Sequence, residues 1–373
     1  MTRHGAIGLS DEQADILESA TKYCHDKSPI EAVRRLIEDE LGYESAVFAE
    51  MAELGWLGIA IPEAYGGAGL ELAEVVPVVE QMGRNLMGGP FVSTTLAAQA
   101  LLAGGTQAQK SRVLPELAAG APAVLALMES HADWDPGHVE ARAEHTGGGL
   151  LLSGTKTLVP DAACAKWIVA SVSLDGAPAL VLLDEAAIAS CELRRETVID
   201  QTRRAYRVGL DGVSIPESAL LDPSRAAAAL ARTELAGSLL AAAEMCGGGV
   251  SCINYTVSYL NTRKQFGRPI GSYQALKHPI VDAHVGIEQA RSHLYAAAHT
   301  FEKGEEGEIA VRMAKAHTGP AFAYAADRAI QFHGGFGFTF ECDAQLYRRR
   351  ALWCESQHGD ALYHRRKLAD LIL

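Results

Sequence analysis

From Leu235 the apolar positions Leu235, Leu239, Ala242, Cys246, Val250, Ile253, Val257 and Leu260 follow at intervals of three or four residues. That spacing draws one stripe along a single long helix. Helices are also predicted over residues 274–303 and 308–333, so the chain from 222 onward reads as a helical bundle. The first 120 residues repeat the helical period, with amphipathic segments at 11–23 and 29–41. Ser10, followed by Glu12 and Gln13, supplies a helix start. Between these regions the pattern shortens to the runs VLALM (124–128), WIVASV (167–172) and ALVLL (179–183), which predict strands. Gly147 to Gly149 and Asp175-Gly176 are hairpin or loop signals, and residues 61–70 form a turn carrying Pro62, Gly66, Gly67 and Gly69. The expected architecture is mainly α with a central β-domain. An N-terminal helical domain spans 1–120, a small β-barrel or sheet domain 121–221, and a C-terminal four-helix bundle 222–373.

Composition sharpens this. The chain has 373 residues, 48% hydrophobic and 21% charged, and can build a sizeable core. Its net charge of −13 makes it a poor partner for nucleic acid. Residues 1–20 contain no apolar leader segment, and the longest apolar run, from Leu235 to Ala243, is bounded by Glu234 and Glu244, so no membrane span is expected. Seven cysteines without a C-x-x-C pair read as reduced, mostly packed thiols in a cytoplasmic protein. No H-E-x-x-H, G-x-S-x-G or Walker-type phosphate loop occurs. The thirteen histidines do not cluster as metal ligands by spacing, so no metal site is expected.

Two segments are more specific: RKQFGRPIGSYQALKHPIVDAH (263–284) and AIQFHGGFGFTFECDAQLYRRR (329–350). With ELGWLGIAIPEAYGGAGL (53–70) they resemble the flavin-dependent acyl-CoA dehydrogenase family over nearly the whole chain. The motifs R-x-x-F-G and Q-x-H-G-G-x-G are strong jointly, since either alone is weak. The resemblance implies an oxidation of an acyl-CoA thioester. A carboxylate takes the α-proton and the β-hydrogen leaves as hydride to FAD, giving the 2-enoyl-CoA. In this family the flavin site is shared between two subunits.

The half lent to a neighbour is kept. By resemblance, Arg263 pairs with the pyrophosphate, Phe266 packs by the adenosine, Gln331 hydrogen-bonds the same region, and Gly334 and Gly335 let backbone approach the cofactor. Gln274 matches a family glutamine. Each also has an ordinary structural reading: a solvated helix-end arginine, a capping glutamine, a helix-ending glycine pair or a surface hydrogen bond. The half that grips the ring is altered. Where the family has T-E-P-x-x-G-S-D, this chain has MESHADWDP (128–136), with only Glu129 in register. Where the family has K-x-W-I-T, it has KTLVP (156–160). Leu158 replaces the tryptophan, and Pro160 brings neither N–H nor hydroxyl in place of the threonine.

The base is also missing. One family branch places its glutamate where this chain has Gln357 or His358, another where it has Gly237. Glu234 and Glu244 are the nearest weak candidates, and a solvated charge or a helix-pair salt bridge accounts for each. This asymmetry implies the small, base-less subunit of an α2β2 heterotetramer, like those acting on steroid side-chain CoA thioesters in actinobacteria. A second, catalytically complete dehydrogenase subunit would hold the flavin and the base. The alternatives are a self-sufficient homo-oligomer using Glu234 or Glu244, and a non-catalytic scaffold.

Overall fold

A computed structural model describes residues 8–373; the first seven residues of the segment read for a leader lie outside it. In chain order the helices α1 (Asp11–Lys27), α2 (Ile30–Leu36), α3 (Ser45–Glu53), α4 (Val76–Arg84), α5 (Phe91–Gly104) and α6 (Gln107–Ala118) come first. Strands β1 (Ala123–Ala126), β2 (Arg142–Thr146), β3 (Gly149–Ser153), β4 (Thr155–Pro160), β5 (Trp167–Leu174) and β6 (Ala177–Leu183) follow. Then come α7 (Glu185–Ala189), β7 (Glu192–Glu196), β8 (Ala205–Gly209) and β9 (Ser214–Ile215). Helix α8 (Ala226–Thr262), the hairpin β10 (Lys264–Gln265) and β11 (Arg268–Pro269), and helices α9 (Gln274–Thr300), α10 (Glu305–Phe332), α11 (Ala344–Ser356) and α12 (Ala361–Ile372) complete the chain. The architecture is the expected one, helical at both ends around a central β region.

Internal contacts divide the chain into two units: Glu38–Glu71 with Gly88–Gly237, and the residues up to Ile37 with Leu72–Met87 and Ser238–Leu373. The division runs through α8. In the β-containing unit, β5 pairs antiparallel with β6 along one edge, and on the other runs parallel to β1 at Trp167–Ala170 and to β2 at Ser173–Leu174. Buried along nearly its whole length, β5 reads as a continuous apolar run. Asp175 and Gly176, both at positive φ, close the β5–β6 hairpin as their sequence demands. The second sheet has the order β4-β8-β7, with a bulge in β4 between Lys156 and Val159. The two sheets share a core, Leu150, Leu152, Ile168 and Ala170 from one and Val159, Tyr206 and Val208 from the other.

In the helical unit α10 packs along α9, α11 and α12, and α1 packs on α4. Ser10 caps α1 in a capping box with Gln13, as its position suggested. The stripe on α8 understates its burial, because residues 236–249 are buried on every side. The reason is a close crossing of α4 and α8. A Cβ on Gly247 would stand 1.8 Å from the Glu80 carbonyl oxygen, and one on Gly83 would stand 2.1 Å from that of Glu244. Only glycine lets the backbones approach this far. By length and composition the helix Pro223–Thr262 could cross a bilayer, but 83% of its apolar window is buried, the burial of a core helix.

The bundle also buries cations. Lys315 Nζ donates to the carbonyls of Glu355 (3.0 Å) and Gly359 (2.7 Å), and burial lowers its pKa to about 8. Burial, then the Lys315 charge, lowers His358 and His364 to about 3. His364 donates from Nε2 to the His358 carbonyl (2.8 Å). Both imidazoles are therefore neutral in the fold, while the unfolded chain takes up their protons near pH 6.5. Stability is intact above that value and is lost as pH falls toward 3. Denaturant titrations between pH 6.5 and 5, above most carboxylate titration, should show a loss of about 1–3 kcal/mol per pH unit. A flat profile there would contradict the assignment.

Candidate functional site

Residues 263–274 and 331–335 lie 57 or more positions apart in sequence, and the helical unit joins them. α8 ends at Thr262, and the N–H of Arg263 still donates to the Tyr259 carbonyl (2.9 Å). The chain then turns back through β10 and β11, with Phe266 (φ 52°) and Gly267 (φ 79°) as a two-residue hairpin loop. Such loops favour Asn-Gly, and an aromatic residue held left-handed costs about 1 kcal/mol. Phe266 is nevertheless 90% exposed, its ring edge-to-face with Tyr273 (centroids 6.3 Å). Arg268 lies over the other part of this platform, 4.2 Å from the Tyr273 ring centroid.

At the end of α10, His333 stacks on Tyr259 (4.2 Å), which ties the Gln331–Gly335 segment to the turn of α8 that precedes Arg263. Gly334 has φ 63°, and among the described residues nothing lies within 4 Å of a Cβ added at Gly334 or Gly335. Arg263, Phe266, Gln274, Gln331, Gly334 and Gly335 are all exposed. An exposed guanidinium, an outward aromatic tip and two bare backbone positions fit an anionic nucleotide cofactor carried by another chain.

The strand expected to face a flavin ring has spent its donors internally. Leu158 sits on the β4 bulge at φ 51°. Its N–H donates to Glu196 Oε2 (2.7 Å), and Thr157 Oγ1 donates to the same carboxylate (2.9 Å). Pro160, paired with Ala205, has no N–H to offer. Glu129 is also occupied. It accepts from Lys156 Nζ (2.6 Å), from the N–H groups of Glu140 (2.7 Å) and Ala141 (2.9 Å), and from His131. Burial would raise this carboxyl, but the Lys156 ammonium and the two amides hold it below its usual range. Lys156 is itself fully buried, with a second bond to Ser171 Oγ (2.8 Å). These donor sets do not fit a ring in this chain.

The candidate bases have different surroundings. Glu244 is tied to Arg350 at 2.6 Å, and Arg350 is fully buried and also bonds the Leu86 carbonyl (3.3 Å). It is the helix-pair salt bridge that the sequence allowed. Glu234, in the other unit, is buried. At the remaining base position, His358 stands at φ 55°.

The loop after β1 revises the reading of the histidines. His131, Asp133 and His138 bring ligand atoms within 4.8 Å of one another, as do Glu129, His131 and Glu140. Spacing across an irregular loop hid this. The atoms are already used, however. His131 Nδ1 accepts the Asp133 N–H (3.1 Å), its Nε2 faces Glu129 (3.2 Å), and His138 Nδ1 faces Asp133 (3.2 Å). The imidazoles stack at 4.2 Å, and the loop closes on itself. All seven cysteines are free thiols.

A family model described as the acyl-CoA dehydrogenase N-terminal domain matches residues 10–121, and one for the C-terminal domain matches residues 229–373. The acyl-CoA dehydrogenase IpdE2 of Mycolicibacterium smegmatis is 30% identical over 358 residues, covering 95% of this chain and 94% of its own. IpdE2 of Mycobacterium tuberculosis is 32% identical, covering 88% and 86%. Among solved structures, a single-substitution variant of the Tcur3481-Tcur3483 steroid ACAD superposes with a TM-score of 0.87 at 28% identity, over 97% of this chain and 98% of that one.

Proposed function

This chain belongs to the FAD-dependent acyl-CoA dehydrogenase family, and within it we propose that the chain is a base-less subunit that completes the flavin site of a catalytically complete partner. The observation that carries this reading is the contrast between its two half-sites. Leu158 and Thr157 are bonded to Glu196 and Glu129 to Lys156, while Arg263, Phe266, Gln274, Gln331, Gly334 and Gly335 face outward. FAD, held by the partner, supplies the hydride acceptor. In this chain Arg263 would hold the pyrophosphate with charge-assisted bonds, and Phe266 would pack by the adenosine. Gln331 and Gln274 would hydrogen-bond the same nucleotide, and the Gly334–Gly335 backbone would let it approach closely. The proton at the acyl α-carbon goes to a carboxylate of the partner, because the Glu244 carboxylate of this chain is engaged by the buried Arg350.

The assembly is an α2β2 heterotetramer with one flavin per pair. The similarity to a protein named for two chains, Tcur3481-Tcur3483, supports a heteromer, and its description as a steroid ACAD supports a steroid side-chain acyl-CoA as substrate. Free thiols throughout fit a cytoplasmic setting. Exposed Phe338 (72%) and Phe340, with Val281 and Val285 on α9, give the helical unit apolar surface for a partner.

The chain purified alone should be colourless and inactive, and co-expression with the partner dehydrogenase should give a yellow, active complex. A lone chain that holds one FAD per copy and oxidises acyl-CoA would overturn this. The buried Glu234 favours that self-sufficient reading. Its signature would be loss of turnover in Glu234→Gln with the fold retained.

A further inference from the structure

His333 closes α10 between two residues assigned above to nucleotide binding, Gln331 and Gly334. Its ring is sandwiched between two tyrosines one turn apart on α8, Tyr255 (centroids 4.9 Å, planes 13° apart) and Tyr259 (4.2 Å, 25°). His333 Nδ1 lies 2.7 Å from the Ala329 carbonyl, which can only accept, so the hydrogen is on Nδ1. Nε2 is buried without a hydrogen-bond partner, and the residue is 3% exposed. On one side the ring is fixed to the last turn of α10. On the other it touches Tyr259, whose carbonyl receives the Arg263 N–H.

We infer that His333 is a positioning residue that, as a neutral imidazole, locks the Gln331–Gly335 segment to the Arg263–Phe266 hairpin so that both present one surface to the cofactor. The inference rests on the proposed function only for what that surface binds. A proton added at Nε2 would place an N–H in an aromatic sandwich with no acceptor. Three effects favour the charged ring, and none prevails. The Ala329 carbonyl bonds a charged N–H more strongly than a neutral one. The tyrosine faces attract a cation, but burial outweighs them, and burial moves His333 below its usual value. Asp343 is the nearest carboxylate acting on the ring, but it is already paired with Arg34 (2.5 Å). The remaining titratable neighbours are the phenols of Tyr255 and Tyr259 and the Cys342 thiol, which sits 3.7 Å from the Tyr255 hydroxyl. The lock is therefore at full strength above the ordinary histidine range and weakens progressively as pH falls below it.

Hydrogen exchange of the full chain, expressed as protection factors, tests this at pH 7.5 and 5.5. In the wild type, protection of segments 258–268 and 330–340 should fall together, by about tenfold. His333→Phe keeps the stack and cannot be protonated, so both segments should stay protected at both values. His333→Ala should loosen both segments at both values. Protection in the wild type that ignores pH, or loosening in His333→Ala confined to 330–340, would overturn the inference. FAD retention by the assembled complex is the separate readout. If His333→Ala loosens both segments and FAD is retained in full, the cofactor reading fails while the lock stands.

Discussion

Replacing Arg263 with alanine in the assembled complex should strip the flavin and leave this chain's own stability unchanged. Arg263 is exposed, just past the end of α8, and its guanidinium makes no ion pair among those resolved within the described residues, so the isolated fold does not depend on it. Facing a pyrophosphate it would contribute charge-assisted bonds of about 1.5–3 kcal/mol each. Losing one such bond weakens FAD by roughly tenfold to 150-fold. The measurement is FAD per complex after gel filtration, beside a thermal melt of the lone variant chain. Arg263→Lys should recover part of the loss, because an ammonium keeps the charge but not the planar fork. Undiminished FAD in Arg263→Ala would favour the scaffold alternative.

The largest effect on stability should come from Arg350→Ala. Arg350 is fully buried and is held by Glu244 and the Leu86 carbonyl, so its loss leaves a buried carboxylate without its cation. Removing one partner of such a pair costs about 3–5 kcal/mol. Urea titration should show that loss in Arg350→Ala and a smaller one in Glu244→Gln, where the amide still accepts from the guanidinium. Adding Glu244→Leu to Arg350→Met should recover much of the stability, since two apolar side chains leave no charge stranded. Equal urea midpoints for Arg350→Ala and the wild type would mean that the pair has no structural weight.

The parts of this fold that local rules control were legible in the sequence. Asp175-Gly176 is what a tight hairpin requires, Ser10 and Gln13 form a capping box, and the α8 stripe follows from helical period alone. The stop of α2 at Leu36 was not legible, because residues 37–41 carry ordinary helix formers. Asp39 takes the amides of Leu41 and Gly42 instead, and Arg204, 165 positions further along, takes the carbonyls of Asp39 and Glu40. Lys156, Lys315 and Arg350 escaped for the same reason. Charged residues default to the surface, and only tertiary contacts reveal a buried one. In the site, the outward residues could be named because their motifs are contiguous. The roles of Glu196 and His333 depend on pairings that periodicity cannot encode.

The Glu196 contacts also bear on how this lineage can change. Restoring tryptophan at 158 and threonine at 160 would return two side chains, yet the amide at 158 would still answer to a carboxylate on β7. The way back to independence passes through a third position, and the first two substitutions bring no benefit until that one moves. If the chain works as proposed, a change at 158 or 160 alone would leave it tied to its partner.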